Sequence, residues 1–190
     1  DTIYQLNTKL KTCLGEAENQ MLIEKNWAKL VTLPKIEKKK KINVLTKDEQ
    51  ALFLEAIVGE ELEMLFITAL STGLRLGELQ GLKWNDIDFN KNELHVQRTL
   101  ARVQIYEGEK LIGYKIQELP PKTHNSNRIV PIPGNVIAQL KEYKAEQDAL
   151  IALLDEEYNN NNYVFCNKLG EVYDPKTPIR HLKKILIELG

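Results

Sequence analysis

Ser71-Thr-Gly-Leu-Arg-Leu-Gly-Glu-Leu-Gln-Gly-Leu-Lys-Trp84 is the stretch around which the rest of the chain is organised. It begins as the end of an apolar helix and breaks at Gly73. Glycine can take the positive φ that closes a helix without steric cost. A second short helical pattern follows, with Leu76, Leu79 and Leu82 on one side. Arg75 therefore projects from a tight helix–helix corner, beside backbone N–H groups that have no intrahelical partner. A guanidinium beside such donors is suited to holding a phosphate. Glu78, three residues on, shares a face with Arg75 and can fix its rotamer. The same spacing also fits an ordinary helical hairpin with a surface Arg–Glu pair.

A second stretch narrows the choice: Pro120-Pro-Lys-Thr-His-Asn-Ser-Asn-Arg-Ile-Val-Pro-Ile-Pro133. T-G-L-R-x-G-E-L, then Trp84-Asn-Asp-Ile-Asp88, then P-K-T-x-x-S-x-R-x-V-P-I resembles the tyrosine recombinases, the integrases of phages and conjugative transposons. The resemblance covers the chain from about Val44 to its end.

That resemblance implies a chemistry. Members of the family break and rejoin DNA strands with a tyrosine nucleophile. The phosphotyrosine bond conserves the energy, so no cofactor, nucleotide or metal is implied. The reaction needs a clamp on the non-bridging phosphate oxygens, an acid for the departing 5′ oxygen, and the nucleophile. Arg75 matches the first clamping arginine of the family, and a planar fork suits the charge of a pentavalent phosphate. Lys122 matches the β-hairpin lysine that protonates the leaving oxygen. Glu78 is the supporting residue. Thr123, Ser126 and Arg128 are short or cationic groups suited to phosphate contacts; ordinary turn chemistry accounts for them equally well.

The family's second motif, H-x-x-R, usually within H-x-L-R-H, is read as absent from this sequence, as is the tyrosine after it. Arg180-His181 resembles the end of that motif, but Thr177 stands where the first histidine belongs, so the pair reads as surface helix. None of the seven tyrosines has the nucleophile's context; each reads as packing. The expectation is a piece of a recombinase that stops short of its second motif and does not cleave DNA as it stands. The alternative is a DNA-binding or protein-interaction module that keeps the recombinase fold without its chemistry.

Composition allows this but does not demand it. The 190 residues are 43% hydrophobic and 28% charged, with a net charge of −1. The charge is uneven. Residues 71–134 carry nine Lys and Arg against seven acids, whereas 47–70 carry one against six and 135–162 two against six. A positive segment between acidic ones is what a protein with one nucleic-acid face has, and also what patchy solvated surface has. Cys13 and Cys166 lie far apart, without metal-ligand spacing, and read as cytosolic thiols, hence a cytoplasmic protein. No apolar run approaches the roughly 20 residues of a membrane span.

Residues 1–33 read as the end of a helical core-binding domain, 34–43 as a basic linker and 44–190 as a partial catalytic domain. A helical period runs over residues 4–31, with Leu6, Leu10 and Leu14 on a stripe that this segment cannot bury alone. Lys38, Lys39, Lys40 and Lys41 repel one another and favour an extended strip that either lies along the DNA backbone or is plain solvated linker. Thr46-Lys-Asp-Glu49 is a capping box, opening a helix to about Val58 with Leu52, Phe53 and Ala56 inward. Glu60 starts the next. A β pattern runs unbroken from Leu94 to Ile105. Tyr114 to Leu119 and Arg128 to Ile132 complete a small antiparallel sheet. A long amphipathic helix spans 135–157, with an acidic outer face that points away from DNA. Thr177-Pro178 caps a last helix. The fold class is α+β, mostly helical, with a three-stranded antiparallel sheet and an incomplete C-terminal end. The partner is double-stranded DNA. Full-length relatives assemble as tetramers on it, and a monomer is expected for this chain.

Overall fold

The computed structural model of the protein describes residues 2–34, 44–120 and 127–190. Its residues fall into two compact units, Asp1–Val44 and Leu45–Gly190.

In the first unit, α1 runs from Thr2 to Asn19 and a 3-10 turn spans Trp27–Leu30. The continuous helix expected to residue 31 is therefore cut. Asn26 gives the reason. It is buried, its Nδ2 donates to the Lys11 carbonyl at 2.9 Å, and its Oδ1 accepts from the Ala28 N–H at 3.1 Å. Its own N–H reaches Glu18 Oε1 at 3.0 Å. A buried amide that satisfies backbone groups on both sides folds the segment back along α1. Within this unit the stripe stays uncovered: Leu6 and Leu10 are exposed and no residue of α1 is buried.

The second unit opens with α2, Lys47–Ala56, on the expected capping box. The Glu49 N–H donates to Thr46 Oγ1 at 3.2 Å, and the Thr46 N–H to Glu49 Oε2 at 2.7 Å. Its buried stripe is Phe53 and Ile57, not Leu52 and Ala56, which are exposed. Phe53 meets Phe66 edge to face at 5.7 Å. A short helix buries its largest ring, and that choice sets its rotation. Next, α3 (Glu63–Thr72) starts three residues later than expected, because Gly59 turns at φ 78° and the Glu60 N–H donates to the Ile57 carbonyl. Leu62, Leu65 and Phe66 enter the core; Leu70 is exposed. Gly73 closes α3 at φ 64°, as its position predicts, and its N–H donates to the Ala69 carbonyl at 2.9 Å. Five residues, Leu76–Gln80, then form α4.

The strands are antiparallel, as expected, but divide into two sheets. One is three-stranded in the order β1 (Ile87–Asp88), β2 (Glu93–Val96), β5 (Arg128–Pro131). The other is a hairpin of β3 (Thr99–Glu107) and β4 (Lys110–Leu119). The pattern read as one strand breaks at Gln97-Arg98, and β5 pairs with β2 rather than with β4. The register sets Ile129 opposite His95 and Arg128 opposite Val96. Arg98 turns out of the ladder to meet the buried Asp86, and that pairing separates β2 from β3.

The long helix, α5, is Gly134–Leu154, with Val136, Ile137 and Leu140 in the core. Residues 163–166 run inward with Val164 and Phe165 buried, held by bridges from Lys83 to Tyr163 and from Cys166 to Val172. The last helix, α6, is Lys176–Leu189. Asp174, not Thr177, organises its start: its Oδ1 accepts from the Lys176 N–H at 2.9 Å and its carbonyl from the Thr177 N–H at 2.8 Å. Trp84 is buried in the core of the unit. Its Nε1 donates to Gln147 Oε1 at 2.5 Å, and Gln147 Nε2 donates in turn to the Tyr158 hydroxyl and the Tyr163 carbonyl.

Candidate active site

Close packing of α4 on β3 sets the position of the Arg75 corner. A Cβ added at Gly77 would lie 2.4 Å from Thr99 Oγ1 and 2.8 Å from the Leu100 carbonyl oxygen. Only glycine lets the two backbones approach this closely. Arg75 immediately precedes α4, in extended backbone at φ −68°, ψ 150°. Its side chain is 76% exposed.

Glu78 lies beneath it, with its side chain only 7% exposed. Its Oε2 accepts from the Arg75 N–H at 2.9 Å and its Oε1 from Arg75 Nη1 at 3.1 Å. The N–H expected to be open at this corner is therefore already taken by Glu78. Arg128, fifty residues on, places both ends of its fork on the same carboxylate: Nη1 to Oε1 at 3.1 Å and Nη2 to Oε2 at 2.8 Å. The β2–β5 register brings it there, since Arg128 opens β5 opposite the buried Val96. These donors hold the Glu78 carboxyl down to about 2; the Arg128 hydrogen bond is the largest cause, and burial opposes it. Arg128 is correspondingly held above the ordinary guanidinium value by Glu78.

Of the residues assigned to the site from sequence, Arg75, Glu78 and Arg128 thus come together around one carboxylate. Lys122, Thr123 and Ser126, and the linker lysines Lys38 to Lys41, lie outside the described residues, as does the hairpin-tip His124.

Sequence reasoning missed a second charged cluster close by. Asp86 is 4% exposed and pairs with Arg98 Nη1. Its Oδ2 also accepts from the Lys83 N–H at 2.8 Å. Arg98 also donates to the Gly81 carbonyl at 3.3 Å, and its Nε lies 3.8 Å from Glu118 at the end of β4. Lys83 Nζ and the Tyr163 hydroxyl both reach Glu118 Oε1, at 2.6 and 2.5 Å. Contrary to the reading that no H-x-x-R occurs, His95-Val96-Gln97-Arg98 has the bare spacing of the second motif. Its arginine, however, is committed to Asp86, and its histidine lies on β2, so the stretch is structural. The available signal was Trp84-Asn-Asp86 just after the corner, but nothing local names Arg98 as its partner.

Tyr143, Tyr158, Tyr163 and Tyr173 behave as packing, whereas Tyr106 and Tyr114 are exposed on the β3–β4 hairpin, contrary to the packing reading. Burial pushes the Tyr143 hydroxyl up to about 12, and raises Tyr158, Tyr163 and Tyr173 as well. That direction is opposite to what a nucleophile needs. No group of three or more His, Cys, Asp or Glu able to hold a metal occurs among the described residues. A concavity of about 570 Å³ opens between Gly59–Met64, α5 and residues 158–173. Glu60, Glu61, Glu63, Glu142 and Glu146 line it, which makes it repellent to a phosphate backbone. No described helix is long and apolar enough to cross a membrane.

Known proteins resemble this chain in sequence and in fold. A tyrosine recombinase XerC-like protein of Caldanaerobacter subterraneus is 39% identical across the whole chain, which covers 50% of that protein. The ICEBs1 integrase of Bacillus subtilis is 25% identical over 88% of the chain and 43% of its own length. The chain thus spans about half the length of the curated relatives it matches. Among solved structures, the Tn1549 transposon integrase in complex with a circular intermediate DNA superposes with a TM-score of 0.74 at 21% identity, over 99% of this chain and 58% of that one. The XerA recombinase follows with a TM-score of 0.53 at 19% identity, over 83% of this chain and 45% of that one. Those likenesses bear out the mixed, mostly helical fold with small antiparallel sheets. Residues 43–190 match the Phage integrase family, and that span holds the Arg75 corner, the buried carboxylate beneath it and the strand that delivers Arg128: the chain is a member of that family.

Proposed function

We propose that this chain carries part of the catalytic domain of a site-specific DNA recombinase, an integrase that breaks and rejoins strands through a phosphotyrosine link. Arg75 clamps the non-bridging oxygens of the scissile phosphate. Lys122 protonates the departing 5′ oxygen. Thr123, Ser126 and Arg128 add phosphate contacts, and Lys38 to Lys41 run along the backbone of the duplex. Domain limits at residues 33/34 and 43/44 separate the end of a core-binding domain, the linker and this catalytic part. The whole protein works as a tetramer on DNA in the cytoplasm, and the chain itself is monomeric in its absence.

One observation carries the reading. A guanidinium is left 76% exposed at a rigid corner, although a carboxylate lies within reach. Family membership and relatives described as recombinases and integrases support it. None of the seven tyrosines within residues 1–190 has the nucleophile's sequence context, so these residues supply the clamp and the acid but not the attacking oxygen. The test has two parts. Duplex DNA should bind with a salt-dependent affinity that falls on Arg75→Gln; salt-independent binding, or none, rejects the reading. A suicide substrate should leave no covalent adduct on residues 1–190, and a trapped tyrosine there would overturn the assignment of roles.

A further inference from the structure

The corner contains an electrostatic conflict. Glu78 is an anion in contact with Arg75, the cation that must be free for a phosphate. A phosphate entering the corner competes with Glu78 for the same guanidinium. We infer that Arg128 resolves this conflict: it is a positioning residue that saturates Glu78 and so keeps Arg75 available. This inference rests on the DNA reading above and replaces one assignment in it: Arg128 acts through Glu78 rather than by touching the phosphate.

A carboxylate has two oxygens and about four lone-pair sites. In Glu78 four donors occupy them: the Arg75 N–H and Nη1, and the two Nη atoms of Arg128. Arg128 takes the fork-to-fork geometry, the strongest arrangement for this pair. The side chain of Arg75 is left with one bond, at 3.1 Å, and stays 76% exposed. Arg128, at 32% exposed, is the more enclosed of the two guanidiniums. Removing it opens two acceptor sites on a carboxylate that is almost fully buried. A buried acceptor left unsatisfied costs far more than an exposed one. Arg75 is already in contact and has donors to spare, so it turns inward and fills them. The DNA-binding cation is then lost although its codon is untouched. Arg128 also opens β5, so the same bond ties the start of that strand to the corner.

The test uses residues 1–190 as they stand, with two readouts. The first is DNA-free: side-chain ¹⁵N NMR of Arg75, which reports how fast its guanidinium turns about Nε–Cζ. The second is the affinity of a fluorescein-labelled duplex and its salt slope. In Arg128→Gln the Arg75 rotation should slow and duplex affinity fall by roughly tenfold, the scale of one charge-assisted bond. The salt slope should drop by about one phosphate contact. In Arg128→Gln with Glu78→Gln the competing anion is gone, so rotation, affinity and slope should all return. Arg128→Gln with Glu107→Gln restores net charge at the far hairpin tip and should rescue nothing. Arg128→Lys, a milder change that guards against misfolding, should be intermediate, since an ammonium cannot fill both oxygens in one plane. Affinity that stays low in the Glu78→Gln double variant would make Arg128 a direct phosphate contact and overturn the inference. So would an unchanged Arg75 rotation in Arg128→Gln. If the wild-type chain binds no duplex, the DNA reading fails, and the rotation measurement still decides the role of Arg128.

Discussion

Two carboxylates lie on either side of Gly81, and both are buried against arginine, yet they do different things. Asp86, 4% exposed, has Arg98, whose side chain is 21% exposed and also bound to the Gly81 carbonyl. Anion and cation are both used up, and the pair serves to hold β3 and the end of β4 against the core. Glu78, 7% exposed, has two arginines, and one of them stays in solvent. The difference teaches that a buried carboxylate is not itself the sign of a site. The sign is the cation left over once the carboxylate has been satisfied.

The comparison can be broken from either side. The largest effect should come from Arg98→Ala, which leaves Asp86 buried without its cation. Losses of about 3–5 kcal/mol follow from stranding one partner of a buried pair. Urea unfolding measures it, and a loss under about 1 kcal/mol would mean that the cluster is not structural.

Acid should act next, through Glu78. Its folded value is lowered from 4.5 to about 2. A carboxylate depressed in the folded state stabilises fully above its unfolded value, and this contribution is lost as pH falls through the folded one. Between pH 4.5 and 2 the chain should therefore lose on the order of 2–3 kcal/mol that Glu78→Gln does not lose. Parallel pH profiles for the two proteins would contradict the assignment.

Gly77→Ala tests what joins the two regions. Its Cβ would lie 2.8 Å from the Leu100 carbonyl, so α4 must lift from β3. A cost of about 1–3 kcal/mol is expected for such overpacking, together with weaker duplex binding because the corner moves. Unchanged thermal stability would show that the backbones yield freely there.

Arg75→Gln should be the smallest on this scale, within about 0.5 kcal/mol, because an exposed side chain with one bond stabilises little. It should still weaken DNA binding. A large loss of stability would move Arg75 into the same class as Arg98 and remove the contrast between the two regions.

Much of this was legible from short windows. The Thr46–Glu49 capping box, the left-handed Gly73 and the Arg75–Glu78 contact each depend on residues three or four apart, where backbone geometry leaves little choice. The amphipathic period of α5 was equally readable, though not the role of Gln147 as the link between Trp84 and the 158–166 segment. Readings failed where a distant neighbour outvoted local chemistry. Phe66 chose Phe53 over Leu52 for the face of α2. Asp86 pulled Arg98 out of what alternation alone reads as one long strand. Asp174 took over the start of α6 from Thr177.

By itself, then, the order of residues determined that a glycine-closed corner would present Arg75, that Glu78 would touch it, and which family the two motifs belong to. The first two follow from bond geometry over a single turn; the family follows from the resemblance of the motifs. Only the tertiary structure decided that Arg128 would share that carboxylate and that Arg98 would be consumed by Asp86. Those pairings join residues 50 and 12 positions apart, and no local preference encodes them. They are set by sheet register and by the cost of leaving a buried charge without a partner.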